Sequence, residues 1–324
     1  MLGLLLLPGV EACQSCPGVP FLQPDHMATV AGALLSFATI NARGRLFADN
    51  AMSLKDIAAA MLRHEIHAVS VTETNSFAIQ DASAHWRREQ QHSRQLEKQH
   101  GIKVISASTK SRVGRTAILL HDNLAQFLPP TPAVHRAVDG RYLQVALHPC
   151  PGTTLSLLSI YGDACETSKR HTQRRLIEAT EAHLSELDLT TRDMVILQGD
   201  INEVRLACDT DNPTRALDEE GLLDWLDNEP SMVDLYRVHH PDTPAFTFTT
   251  ATDDAITHSR LDYIYVSTNF LQPDKHAGAL IDECGALLTT PRQDHRAVVG
   301  QVPHPVPQAT APHPLAPPPG DGCF

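Results

Sequence analysis

Four apolar runs in this chain each close on a polar residue at the same relative place. Leu34–Ile40 leads to Asn41, His67–Thr72 to Glu73, Leu155–Ile160 to Tyr161, and Met194–Gln198 through Gly199 to Asp200. Short β-rich runs of this kind read as strands. A polar residue at a strand end stands at a sheet rim, where a rigid scaffold can hold it. Two sheets packed face to face with helices outside would bring four such ends together. The recurrence therefore predicts an α/β fold built as a four-layer α/β/β/α sandwich, with two mixed sheets inside.

The rest of the middle region fits that reading. Leu54, Ile57, Ala58, Met61 and Leu62 recur at helical spacing. Residues 81–100 are polar and basic and read as a helix. A further amphipathic helix is expected over Ser168–Leu187, with Leu176, Ile177, Thr180, Leu184 and Leu187 inward. Strands are expected at Lys103–Ala107, Thr116–His121, Tyr142–Leu147, Asp262–Ser267 and Ala297–Gln301. No linker or repeat interrupts this stretch, so residues 31–302 read as one domain. Residues 1–30 read as a leader and 303–324 as a proline-rich disordered tail.

Charge and cysteine usage narrow the function classes. The net charge of -12 has the wrong sign for a generic polyanion binder. It suits a site that gathers carboxylates around a divalent cation. The seven cysteines are odd in number and irregularly spaced, which implies no disulfide framework. Cys13 and Cys16 form a C-x-x-C without a second pair, so scattered reduced thiols are the better reading. The N-terminal apolar run lacks a positive n-region and is cut by Pro8 and Glu11, a weak signal-peptide pattern. No stretch is long enough to span a bilayer, so no membrane partner is expected. A nuclear or cytoplasmic setting is favoured, and nothing sets the oligomeric state.

Six motifs then occur in order. They are T-I-N-A-R-G at 39–44, V-T-E-T-N at 71–75, S-I-Y-G-D at 159–163, Q-G-D-I-N at 198–202, S-R-L-D-Y-I-Y-V-S at 259–267 and Q-D-H-R at 293–296. Together they resemble the endonuclease/exonuclease/phosphatase superfamily. Its members include apurinic endonucleases, LINE-type retrotransposon endonuclease domains, deadenylases, and inositol-phosphate and sphingomyelin phosphodiesterases. The resemblance implies a metal-dependent phosphoric ester hydrolase using Mg²⁺ or Mn²⁺, which suits hard oxygen ligands. It implies Glu73, Asp294 and Asn41 at the metal. Asp200 would orient or deprotonate the attacking water, and Asn202 would hold the phosphate or Asp200. His295 would face the scissile phosphate with its other nitrogen held by Asp262, and Tyr161 would hydrogen-bond the phosphate or leaving oxygen.

Two departures stand out. Many members carry an acidic residue two positions after the Asn, where this chain has Arg43. The metal carboxylates then reduce mainly to Glu73 and Asp294. Tyr161 is followed by Gly162-Asp163-Ala164 rather than a segment with Pro and Asn.

The S-R-L-D-Y-I-Y-V-S string and the F-T-F-T-T segment at 246–250 look most like retroelement endonucleases. In that group the loop between them lies against DNA; here it would be Ala251–His258. Residues 81–115 carry Arg87, Arg88, Arg94, Lys98, Lys103, Lys110, Arg112 and Arg115 against three acids, while residues 201–230 are strongly acidic. Arg87, Arg88, Arg112 and Arg115 are therefore expected to contact a phosphate backbone. A retroelement-type DNA endonuclease is the reading that results. A phosphatase or phosphodiesterase for small or lipid phosphoesters is the alternative, as is a domain that kept the fold and lost turnover.

Overall fold

The computed structural model describes residues 34–44, 46–47, 54–75, 81–190, 192–212, 218, 220–251, 255–271, 277–282 and 294–303. Leu35–Pro307 form one compact unit. A second unit, Met1–Leu34 with Gln308–Phe324, falls outside the described residues apart from Leu34. So do the expected leader, the tail beyond Pro303, Cys13, Cys16, Cys284 and Cys323. Cys150, Cys165 and Cys208 are free thiols. No helix among the described residues is long and apolar enough to cross a membrane.

The chain runs β1 (Leu34–Asn41), α1 (Leu54–Arg63), β2 (Ala68–Thr72), α2 (Ala82–His100), β3 (Ile102–Ser106) and β4 (Thr116–His121). After the single turn α3 (Asp122–Ala125) come β5 (Val134–Ala137), β6 (Tyr142–Cys150), β7 (Thr153–Tyr161), α4 (Glu166–Leu184) and β8 (Met194–Asp200). Then follow α5 (Leu222–Asn228), β9 (Met232–Asp234), β10 (Phe248–Ala251), β11 (Ile256–Ser259), β12 (Asp262–Ser267), β13 (Gly278–Ile281) and β14 (Val298–Pro303). One six-stranded sheet has the order β13-β14-β1-β2-β4-β3, and the other β5-β6-β7-β8-β12-β9. Both are mixed: β1–β2 and β7–β8 are parallel, whereas β2–β4 and β8–β12 are antiparallel. β10 and β11 form a separate hairpin.

Strand alternation builds the layers. Leu35 and Phe37 of β1 share one buried cluster with Leu155 and Leu157 of β7 and with Ile196, Ile264 and Val266, so this core lies between the sheets. Ala38 and Ile40, one position out of phase, pack with Ile57, Met61 and Leu96 of α1 and α2. Leu158, Ile160, Val195 and Leu197 pack with Leu176 of α4 and Leu222 and Leu226 of α5. The result is helix, sheet, sheet, helix.

The acidic tract at 201–230 is not simply a charged surface. Glu203 and Asp209 are buried. Glu203 accepts from the Leu222 and Leu223 backbone N–H groups at 2.9 and 2.8 Å, capping α5, and Asp209 meets Arg237. Helix N-termini leave unsatisfied N–H groups that draw a carboxylate inward. The weaker strands β5, β9 and β13 and the short α5 carry too few residues for periodicity to reveal them.

Candidate active site

The inner faces of the sheets change character along the strands. Below lie Leu35, Phe37, Leu157 and Ile196. The next layer is polar, and Ser70 Oγ meets Ser159 Oγ between the sheets at 2.5 Å. The layer at the rim holds Asn41, Tyr161, Asp200 and Asp262. Strand register sets them side by side: Tyr161 opposite Asp200, and Asp200 opposite Asp262. Cross-strand neighbours on one face are the closest side-chain pairs a sheet offers.

Backbone hydrogen bonds tie the rim loops into a continuous run. Ala42 N–H donates to Thr72, Thr74 to Arg115, Arg115 to Gly140, Tyr161 to Arg141, Gly162 to Asp200 and Ile201 to Leu261. Thr247 extends the run, because its Oγ1 accepts from the Leu261 and Asp262 N–H groups at 2.9 and 3.0 Å. Its carbonyl accepts from Arg296, while the Asp294 carbonyl accepts from Thr249. The F-T-F-T-T segment thus holds the Asp294-His295 segment in place. Phe248 also packs on the His295 ring, with centroids 4.8 Å apart.

Asp200 is the most constrained member. Asn41 Nδ2 donates to its Oδ2 at 2.7 Å, and the Asn202 backbone N–H donates to its Oδ1 at 3.0 Å. Burial, reinforced by Asp262, raises its carboxyl to about 7. Asn202 lies beyond the end of β8 and does not continue its alternation. Its φ is +58°, and Nδ2 donates to the Gly162 carbonyl at 3.3 Å. The turn after β8, not the pleat, sets its position.

His295 Nδ1 lies 2.8 Å from Asp262 Oδ2, and its Nε2 lies 3.9 Å from Asp200 Oδ2. Burial works against the imidazolium, but Asp262 and then Asp200 outweigh it and raise the ring to about 9. Tyr161 is buried, and that burial together with Asp200 and Glu73 holds its phenol protonated. Arg141 stacks its guanidinium 4.8 Å over the Tyr161 ring, donates to Gly162 O at 2.8 Å and meets Asp163 at 3.3 Å. Arg141 was not singled out by sequence. Its only signal is a charged side chain at the mouth of the apolar strand β6.

The residues able to ligate a metal divide into two sets, and the tighter one consists of residues expected in catalysis rather than of Glu73, Asp294 and Asn41, expected at the metal. Asp200, Asp262 and His295 bring ligand atoms within 4.8 Å of one another. Glu73 is outside that trio, half-buried at φ +49°, and acts electrostatically on Tyr161 and Arg115. Asn41, which donates to Asp200, accepts the Arg43 N–H at Oδ1 at 2.8 Å. Asp294 Oδ2 meets Arg43 at 3.2 Å. Asp262 Oδ1 and Asp294 Oδ1 are buried with no hydrogen-bond partner among the described residues. Orphaned carboxylate oxygens beside further hard donors are a fitting donor set for Mg²⁺ or Mn²⁺.

The basic residues separate as well. Arg115 is half-buried at the rim beside Arg141, Tyr161 and Glu73. Arg112 is tied to Asp139 at 3.3 Å. Arg87 and Arg88 are exposed on α2.

No family model matches the chain. A 145-residue segment is 27% identical to the transposon TX1 uncharacterized 149 kDa protein of Xenopus laevis; it takes in 45% of this chain and 11% of that protein. The AP endonuclease LMAP of Leishmania major superposes with a TM-score of 0.62 at 15% identity, over 85% of this chain and 89% of that one. The endonuclease domain of TRAS1, a telomere-specific non-LTR retrotransposon, gives 0.53 at 14%, over 83% and 98%. An AP endonuclease of Archaeoglobus fulgidus gives 0.54 at 16%, over 82% and 98%. The chain shares its fold with these endonuclease structures.

Proposed function

We propose that this chain is a divalent-metal-dependent phosphodiesterase acting on DNA, an endonuclease of retroelement type. The observation that carries the reading is the buried Asp200, oriented by Asn41 and Asn202 beside the Asp262–His295 pair. The likeness to two AP endonucleases, a retrotransposon endonuclease domain and a transposon protein supports a nucleic-acid substrate over a small phosphoester.

Glu73, with Asn41 and Asp294, would hold the cation, which when bound supplies a charge sink for the phosphate oxygens. The chain's own groups do the rest. Asp200, raised towards neutrality, takes a proton from the attacking water. The water oxygen bonds to phosphorus as the opposite phosphorus–oxygen bond breaks, the leaving oxygen keeping that bond's electron pair and taking a proton from solvent. The His295 imidazolium, held charged by Asp262, faces the extra negative charge of the transition state. Tyr161 stays protonated and donates a hydrogen bond to the phosphate or leaving oxygen. Arg115 and Arg141 add positive charge on that side.

The test is plasmid nicking by purified protein with Mg²⁺ or Mn²⁺. Nicking is expected, and Asp200→Ala should lose it while still binding Mn²⁺. Glu73→Gln should lose both nicking and Mn²⁺ binding. Hydrolysis of inositol phosphates or sphingomyelin without nicking would move the reading to the small-substrate class. Mn²⁺ binding with no hydrolysis of any phosphoester would identify a fold that lost turnover.

A further inference from the structure

We propose that the outer face of α2 is a second nucleic-acid contact, taking an unpaired segment of strand next to the catalytic rim. The inference rests on the nucleic-acid reading above and extends it to a surface outside the rim. An open groove of about 460 Å³ is lined by Trp86, Arg87, Gln90, Gln91 and Arg94. Trp86, Gln90 and Arg94 follow one another at four-residue spacing, so they form a stripe along the helix. Lys110, from the loop between β3 and β4, places its Nζ 5.4 Å from the Trp86 ring centroid.

Charge indicates the occupant. The chain has 38 acidic residues against 26 Lys and Arg, and several of its exposed arginines find carboxylates. Arg112 and Arg175 reach Asp139, Arg170 reaches Glu220, Arg174 reaches Glu178 and Arg192 reaches Asp188. Among the described residues, none of Arg87, Arg94 and Lys110 has a carboxylate within salt-bridge distance. Three cations grouped around a half-exposed indole, in an otherwise acidic protein, suit a polyanion with π-faces. Phosphates would meet the cations and a base would stack on Trp86, which is how single strands are held.

The groove is also rigidly joined to the site. The loop that carries Lys110 ends at Arg115, whose carbonyl accepts the Thr74 N–H beside Glu73. On the buried side of α2, Glu89 Oε1 accepts from Asn75 Nδ2 at 3.0 Å and from Ser108 Oγ at 2.8 Å, and meets His85 Nε2 at 2.8 Å. α2, the Glu73 loop and the Lys110 loop therefore form one hydrogen-bonded body.

The chain has two tryptophans, and the other, Trp225, is packed against the cluster under α4 and α5. Trp225→Phe makes Trp86 the sole indole fluorophore. That protein would be titrated in EDTA, so that no strand is cut, with a blunt duplex, the same duplex with a single-stranded overhang, and polyglutamate. The overhang should quench Trp86 and bind more tightly than the blunt duplex. Trp86→Ala should reduce the preference for the overhang about tenfold. Arg94→Gln with Lys110→Gln should lower the salt slope of overhang binding by about 1.4, at roughly 0.7 for each single-strand phosphate no longer neutralised. Unchanged Trp86 emission with overhang, equal overhang preference in all variants, or quenching by polyglutamate alone would overturn the inference. Nicking that survives such a result leaves the endonuclease reading intact. Overhang binding at Trp86 with no phosphoester cleavage sinks that reading and leaves the surface.

Discussion

Asn41 Nδ2 and Asp200 Oδ2 lie 2.7 Å apart, and this single hydrogen bond joins the rim of one sheet to the rim of the other. It also favours the ionised form of a carboxylate that burial pushes the other way. Asp200→Asn should lower kcat by about 10²–10⁴-fold, the range for loss of a general base. Asn41→Ala removes a donor, so the Asp200 carboxyl should rise further. The acidic limb of its pH–rate profile should move to higher pH. A limb that stays in place would show that Asp200 is not the titrating base.

The Asp262–His295 pair should govern the alkaline limb. The ring is held at about 9 against an ordinary value of 6.5. The folded state therefore binds this proton more tightly than the unfolded chain. Its contribution to stability is complete below about pH 6.5 and lost as pH rises through about 9. Asp262→Asn removes the main cause of the rise. Both the fall in kcat and the fall in urea midpoint should then move to lower pH, measured by pH–rate profiles and unfolding at stepped pH.

Arg43 meets Asp294 at 3.2 Å with 45% of its side chain exposed. A half-exposed pair of this kind is worth about 1 kcal/mol or less. Arg43→Ala releases Asp294 for a cation, so Mn²⁺ affinity should rise by up to roughly fivefold. Titration calorimetry reads this directly. Weaker binding would mean that Arg43 supports the cation site rather than competing with it.

Arg260 is fully buried, reaches Asp234 at 2.7 and 2.8 Å, and stacks between Tyr236 and Tyr263. It sits two residues before Asp262 on the way into β12. Arg260→Ala leaves Asp234 buried without its partner and should cost about 3–5 kcal/mol in chemical denaturation. Arg260→Met, which restores volume but not charge, should recover part of the packing and little of the ion-pair loss.

Gly199 lies within β8 just before Asp200, and a Cβ there would stand 1.9 Å from the Ile160 carbonyl oxygen. β7 and β8 pair directly at this point, so backbone must move to admit a methyl group. Gly199→Ala should abolish nicking by displacing Asp200, and lower the thermal midpoint. A midpoint change without loss of activity would show that the strand absorbs the shift elsewhere.

Much of this was legible in one dimension. The apolar runs, their polar ends and the motif order already implied two sheets with a shared rim, because strand alternation and helical spacing are local properties. β1, β2, β4, β7, β8 and β12 lie within a few residues of where the sequence put them. What the sequence could not express was partnership. Arg141 under Tyr161, Thr247 under Asp262 and Glu89 behind the Glu73 loop carry no local mark, since each acts through a residue far along the chain. The burial of Glu203 and Asp209 carries no local mark for the same reason: a carboxylate is buried when a distant N–H group or guanidinium meets it.

The four strand-end residues were therefore determined by the sequence, which set their spacing and their polarity against the runs before them. Only the tertiary structure decided what they face. Asn41 meets Asp200 because two separate sheets stack, and the separation of 159 residues between them lies beyond any periodicity. Asn202 reaches the same site through a left-handed turn rather than the strand pleat. Asp294, expected at the metal, meets Arg43 because β14 pairs beside β1.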